Sequence, residues 1–169
     1  MQDIKSYAIS CFQDEAHAIL DLIPRLDDNF IKAVEMIFNC KGKVIVTGVG
    51  KSGHVGEKMA STLASLGTPS FFLNPLDAFH GDLGMISEGD VVISISYSGY
   101  TDELLRFIPL LLERNIPIIG ITGNKNSLLA QYSSCHLDIH VDHEADPLHL
   151  APTSSTMATM AMGDALACA

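Results

Sequence analysis

Apolar side chains recur at helical spacing from the start of the chain: Ile4, Ala8, Cys11, Phe12, Ala16, Ile19, Leu20 and Ile23. This predicts a helix over residues 3–24, stopped by Pro24. Asp27 or Asp28 then caps a second helix, with Phe30, Ile31, Val34, Ile37 and Phe38 on one face and Gly42 just past its end. After Gly42 the pattern changes. Short apolar runs at 43–47, 69–73, 91–95, 116–122 and 136–141 alternate with helical stretches at 52–66, 77–84, 101–114 and 126–133. Runs that are apolar without alternation are buried on both faces, so they predict parallel strands covered by helices on each side. The expected architecture is α/β: a doubly wound five-stranded parallel sheet of order 2-1-3-4-5 with right-handed crossovers. A helical lead-in (residues 1–41) precedes the sheet domain (42–169). Pro109, inside the 101–114 pattern, is expected to kink or break that helix. Residues 152–169 begin like a helix, with Thr153 and Ser154 as caps. They show no C-cap, so the natural chain is expected to continue.

Composition narrows the function. Apolar residues make up 47% against 18% charged, which marks a globular chain. The formal net charge of -10 argues against nucleic acid, whose phosphates require clustered Lys and Arg. It leaves room for a small phosphorylated ligand, because backbone N–H groups and hydroxyls bind phosphate without a basic patch. No apolar run reaches the roughly 18 residues needed to span a bilayer, and no signal peptide precedes the first helix. Cys11, Cys40, Cys135 and Cys168 are scattered, as expected of reduced thiols in a cytoplasmic protein. His17, His54, His136, His140, His143 and His149 do not cluster at metal-ligand spacing.

In an open parallel sheet, ligands bind beyond the carboxyl ends of the strands. After the first strand, Gly48, Gly50 and Gly53 fit G-x-G-x-x-G, with Asp77 roughly 20 residues on as a possible ribose acid. A phosphate loop of the G-x-x-x-x-G-K-S type fails, because position 45 is Ile. Lys51 sits where a helix start attracts anions and disfavours a cation, so a functional role is the better account. After the third strand, Ser96, Ser98 and Thr101 surround Gly99. One hydroxyl is enough for a cap. Three suit an anion held against the amides of the next helix. Glu103, in the first turn, is either a dipole-stabilising acid or a carboxylate beside the ligand.

The pairing of G-K-S-G (residues 50–53) with S-x-S-G-x-T (96–101) resembles the sugar isomerase (SIS) domain. The stretches 48–72, 79–86 (FHGDLGMI) and 151–167 closely resemble the D-arabinose 5-phosphate isomerase family. The resemblance spans roughly residues 40–169. It implies a flavodoxin-like SIS fold and interconversion of D-ribulose 5-phosphate and D-arabinose 5-phosphate, feeding synthesis of Kdo for lipopolysaccharide or capsule. It further implies a homo-oligomer, dimer or tetramer. Many members carry a pair of CBS domains, which residues 1–169 lack. By position, Ser52, Ser96, Ser98 and Thr101 match the phosphate-binding hydroxyls, Lys51 the lysine implicated in catalysis, and Glu103 and Glu144 two active-site acids. Gly50, Gly67, Thr68, His80, Tyr97, Gly99, Ser154 and Ser155 fall at substrate contacts. The chain departs from the family at Tyr97 and Tyr100, where the loop usually reads S-N-S-G-E. It departs again at Asn74, where a zinc-binding histidine can stand, so no metal and no cofactor are expected. A further family histidine falls beyond Ala169.

The implied reaction moves a proton between adjacent carbons through an enediol, with Glu103 as base, Lys51 stabilising the enediolate and Glu144 as a second acid–base group. The two glutamates can exchange roles. Two other classes fit parts of the chain. One is a non-catalytic module sensing a phosphosugar or nucleotide sugar. The other is a nucleotide-dependent oxidoreductase, which leaves the Ser96–Thr101 loop without a purpose.

Overall fold

The computed structural model describes residues 3–148 and 150–169; Met1, Gln2 and His149 lie outside the described residues. Five strands run parallel: β1 (Val44–Gly48), β2 (Ser70–Phe72), β3 (Val91–Ile95), β4 (Ile118–Thr122) and β5 (Cys135–Asp138), in the order β2-β1-β3-β4-β5. The expected order is the observed one. Every residue of β1, β3 and β4 is buried, which is why these runs are apolar without alternation. Their register stacks like on like: Val46 opposes Ile93, and Ile93 opposes Ile119.

Helices cover both faces. On one side Val44, Val46, Ile93, Ile95 and Ile119 pack with Met59 and Leu63 of α3 (Lys51–Ser65) and with Ala158, Met162 and Leu166 of α7 (Ser154–Cys168). The lead-in segment closes the same cluster through Ala18 of α1 (Ile4–Leu20), Leu22 just after it, and Ala33 and Ile37 of α2 (Asp28–Phe38). On the other side Ile45, Val92 and Ile118 meet Phe107, Ile108 and Leu111 of α5 (Asp102–Glu113) and Leu129 of α6 (Leu128–Tyr132). Each Val, Leu, Ile, Phe or Met among them, fully buried, contributes about 1.5–3 kcal/mol.

Departures from the expected pattern have local causes. Helix α1 ends at Leu20, and Pro24 falls in a separate 3-10 turn, Ile23–Arg25. The 77–84 stretch divides into α4 (Pro75–Ala78) and a 3-10 turn at Asp82–Met85, because Gly81 takes a φ of 125° between them. Pro109 does not break α5, which runs on to Glu113. Its ring lies on the solvent side, where a proline disturbs packing least. Strand β5 stops at Asp138, whose carboxylate accepts the His140 N–H at 2.9 Å and turns the chain out of the sheet.

One close approach positions everything that follows. A Cβ on Gly48 would lie 3.0 Å from the Ser52 carbonyl carbon and oxygen, and a Cβ on Gly53 would lie 3.0 Å from the Gly48 oxygen. The first turn of α3 therefore rests directly on the end of β1. Gly48→Ala is expected to lower the unfolding free energy by about 1–3 kcal/mol, the usual cost of overpacking. Urea denaturation, with the slope unchanged, checks it.

Candidate active site

Strands β1 and β3 are neighbours, yet the chain leaves them for opposite faces of the sheet, to α3 and α5. The point between them is the switch point of the fold, where open sheets bind ligands. The two helices that start there differ from those around them. Helices α1, α2, α4 and α6 are capped by the side chains of Asp3, Asp27, Asn74 and Ser127. Helices α3 and α5 have no side-chain cap. Their first-turn amides keep their donor capacity and the positive end of the helix dipole.

At α5 the capping residue is present but turned away. Thr101 occupies the N-cap position, and its hydroxyl lies 2.8 Å from Ser96 Oγ instead of on the helix amides. Ser96 Oγ accepts the Gly99 N–H at 3.0 Å and lies 3.5 Å from Ser98 Oγ, which accepts the Tyr100 N–H at 3.2 Å. The three hydroxyls thus gather at one spot beside the helix start. Gly99 permits this: its φ is 69°, and a Cβ there would lie 2.1 Å from Ser127 Oγ. At α3, Gly50 forms the N-cap with φ 59°, Lys51 is exposed and Ser52 half-buried in the first turn. Among the described residues the Lys51 ammonium has no salt-bridge partner. Glu103 is half-buried in the first turn of α5.

Glu144 reaches the same end of the sheet by a different route. It follows β5 on an irregular strap, and its Oε2 accepts the Thr153 N–H (2.7 Å), the Thr153 hydroxyl (3.1 Å) and the Ser155 N–H (3.1 Å). Thr153 is the cap expected for α7, but its side chain does not cap the helix; Glu144 does so from nine residues upstream. Burial pushes the Glu144 carboxyl up, and the donors of Ser155 and Thr153 outweigh it, so its pKa lies below the ordinary value of 4.5. A cavity of about 540 Å³ between α1 and this strap is lined by Tyr7, Cys11 and Asp14 together with Glu144 and Thr153. None of Ser52, Ser96, Ser98 or Thr101 lines it.

The remaining predicted residues divide. Ser154 and Ser155 are buried in the first turn of α7. The Tyr97 backbone belongs to the hydroxyl loop, but its phenol is bonded to Val141, and burial pushes its pKa up, keeping it protonated. His80 is exposed in the connection after α4. Gly67 and Thr68 lie at the opposite end of the sheet: Gly67 (φ 99°) terminates α3, the Thr68 N–H bonds the Leu63 carbonyl, and β2 begins just after. Within one copy of the chain they are outside the crevice. Asn74 accepts the Leu76 N–H as the cap of α4. Among the described residues no three His, Cys, Asp or Glu side chains converge on a metal site. What sequence reasoning missed is the Tyr97–Val141 bond and the Glu144 cap, since neither partner is adjacent in the chain.

The SIS domain profile matches residues 36–169. The chain belongs to the SIS domain family. Among curated SIS relatives it is 51% identical over 165 residues to arabinose 5-phosphate isomerase KdsD of Francisella tularensis, covering 96% of this chain and 50% of that protein. It is 54% identical over 145 residues to arabinose 5-phosphate isomerase GutQ of Escherichia coli K12, covering 86% and 45%. The chain spans about half the length of the curated relatives it matches. Among solved structures, E. coli CFT073 c3406 in complex with arabinose 5-phosphate superposes with a TM-score of 0.92 at 38% identity, covering 99% of this chain and 90% of that one. The Vibrio vulnificus NanR protein complexed with ManNAc-6P, at 22% identity and a TM-score of 0.84, shares the fold and covers 99% of this chain and 62% of that one. No helix is long and apolar enough to cross a membrane among the described residues.

The Glu144 cap has a measurable signature. Its folded pKa is depressed, so its stabilising contribution is complete above the ordinary value of 4.5 and is lost as pH falls through the lower folded value. The stability difference between wild type and Glu144→Gln is expected to be constant at neutral pH and to shrink only below that range, as read by denaturation at a series of pH values.

Proposed function

We propose that the protein is an aldose–ketose isomerase interconverting D-ribulose 5-phosphate and D-arabinose 5-phosphate in the cytoplasm, supplying Kdo synthesis for lipopolysaccharide or capsule. One observation carries the reading: two helix starts without side-chain caps follow the neighbouring strands β1 and β3 at the switch point, with Ser52 in the first turn of α3 and Ser96, Ser98 and Thr101 gathered beside α5. That is a phosphate site built from dipoles. The names of the relatives that are 51–54% identical supply the sugar.

With the phosphate anchored, the open-chain sugar extends toward Lys51 and the two glutamates. In the aldose-to-ketose direction the base removes the C2 proton and the C1 carbonyl becomes an enediolate oxygen; the C2 hydroxyl proton passes to O1, and the proton returned to C1 leaves the C2 ketone. Glu103 suits the base, because the Glu144 oxygen Oε2 already accepts three hydrogen bonds that hold it anionic. Lys51 neutralises the charge growing on the enediolate. Glu144 orients the sugar hydroxyls or assists proton movement between O1 and O2.

The protein also acts, in this reading, as a homo-oligomer, dimer or tetramer. Phe12 (72% exposed) and Phe38 (87%) on the lead-in helices support this, as large apolar surface suits a partner.

Purified natural-length protein is expected to convert ribulose 5-phosphate to arabinose 5-phosphate. Lys51→Ala and Glu103→Gln should each lower kcat by roughly 10²–10⁴-fold, the usual weight of such groups. Wild-type turnover in Glu103→Gln removes it from the mechanism. Absence of turnover together with thermal stabilisation by a phosphosugar favours the sensing module, a reading supported by Tyr97 and Tyr100 in the phosphate loop.

A further inference from the structure

Tyr97 lies between Ser96 and Ser98, yet its side chain leaves the cradle they form. Its phenol oxygen accepts the Val141 N–H at 3.1 Å and donates to the Val141 carbonyl at 3.3 Å. The ring covers Gly123 so closely that a Cβ there would lie 2.5 Å from Tyr97 Cε2, and the Gly123 N–H bonds the Tyr97 carbonyl at 2.9 Å. Donor and acceptor are both spent on one residue, so the phenol is not placed to hold a phosphate.

Val141 stands three residues before Glu144, and the two between them, Asp142 and His143, are exposed. Glu144 is in turn fixed to Thr153 and Ser155. The strap is therefore suspended between the Tyr97 hydroxyl and the start of α7. Further ties hold it: Asp14 Oδ1 lies 3.3 Å from His143 Nε2, the Arg25 guanidinium bonds the His140 carbonyl, and the Ala145 N–H bonds Thr153 Oγ1 at 2.9 Å. Those ties do not involve the hydroxyl loop. The Tyr97 hydroxyl joins the loop of Ser96, Ser98 and Thr101 to the strap that carries Glu144.

We propose that Tyr97 is a positioning residue, fixing the Glu144 carboxylate at a set distance from the phosphate cradle. Its catalytic consequence rests on the isomerase reading; the mechanical link does not. The Ser96, Ser98 and Thr101 contacts do not depend on the phenol, so removal of the hydroxyl leaves substrate capture intact and loosens only the reacting end.

Tyr97→Phe in the natural-length protein tests this, since it keeps the ring on Gly123. The expected result is a kcat lowered roughly 10–100-fold, in line with a misplacement of about 1 Å at a reacting group, with KM for ribulose 5-phosphate changed by less than about twofold. Amide exchange should quicken at Val141, Thr153 and Ser155 and stay unchanged in β3 and β4. Wild-type kcat, a loss confined to KM, or native protection at Thr153 and Ser155 overturns the proposal. If the wild type itself does not turn over ribulose 5-phosphate, the isomerase reading fails separately, and exchange at Thr153 and Ser155 still decides whether Tyr97 holds Glu144.

Discussion

Backbone N–H groups at a helix start must find acceptors, and at α3 and α5 the protein supplies none from its side chains. The rest of the architecture arranges that shortfall. The parallel sheet places β1 and β3 side by side, the Gly48–Gly53 contact seats α3 on the end of β1, and Gly99 folds the β3–α5 turn against Ser127. Two dipoles and a set of hydroxyls then face one volume. Burial in the sheet stabilises the frame, and the frame leaves the first-turn amides of α3 and α5 without side-chain acceptors, which is where the proposed phosphate is placed.

The opposite arrangement governs α7. Its amides are satisfied by Glu144, a carboxylate brought from the end of β5. The same bonds that cap the helix keep the acid ionised and fix its position. In the isomerase reading, structural and chemical roles coincide in one side chain, so capping and catalysis are not competing accounts of it.

Much of this is legible in the order of residues alone. The apolar runs of β1, β3 and β4 specify parallel strands because interior strands leave no polar face, and the order follows from the doubly wound pattern of alternating strands and helices. The clustering of Ser96, Ser98 and Thr101 is excessive for a cap, and Thr101 indeed does not cap α5. What stays hidden depends on contacts between distant residues. Thr153 has the form of a local cap, but Glu144 takes the task. Gly67 and Thr68 match a family pattern, but the chain places them at the amino end of β2, because Gly67 is needed there to terminate α3. Pro109 has the form of a breaker, yet α5 runs through it to Glu113 with the ring facing solvent.

The cradle also determines how far the protein can be felt by what it binds. It is built from amides and hydroxyls, with Lys51 as the cation in the first turn of α3, on a chain whose net charge is -10. Dipole fields fade within a few ångströms, whereas the field of the whole molecule extends over the Debye length of about 8 Å at physiological salt. In the isomerase reading proposed above, a dianionic sugar phosphate therefore approaches against repulsion and is held only on arrival. Ionic strength, which slows the encounter of oppositely charged partners, here removes an obstacle and makes capture faster.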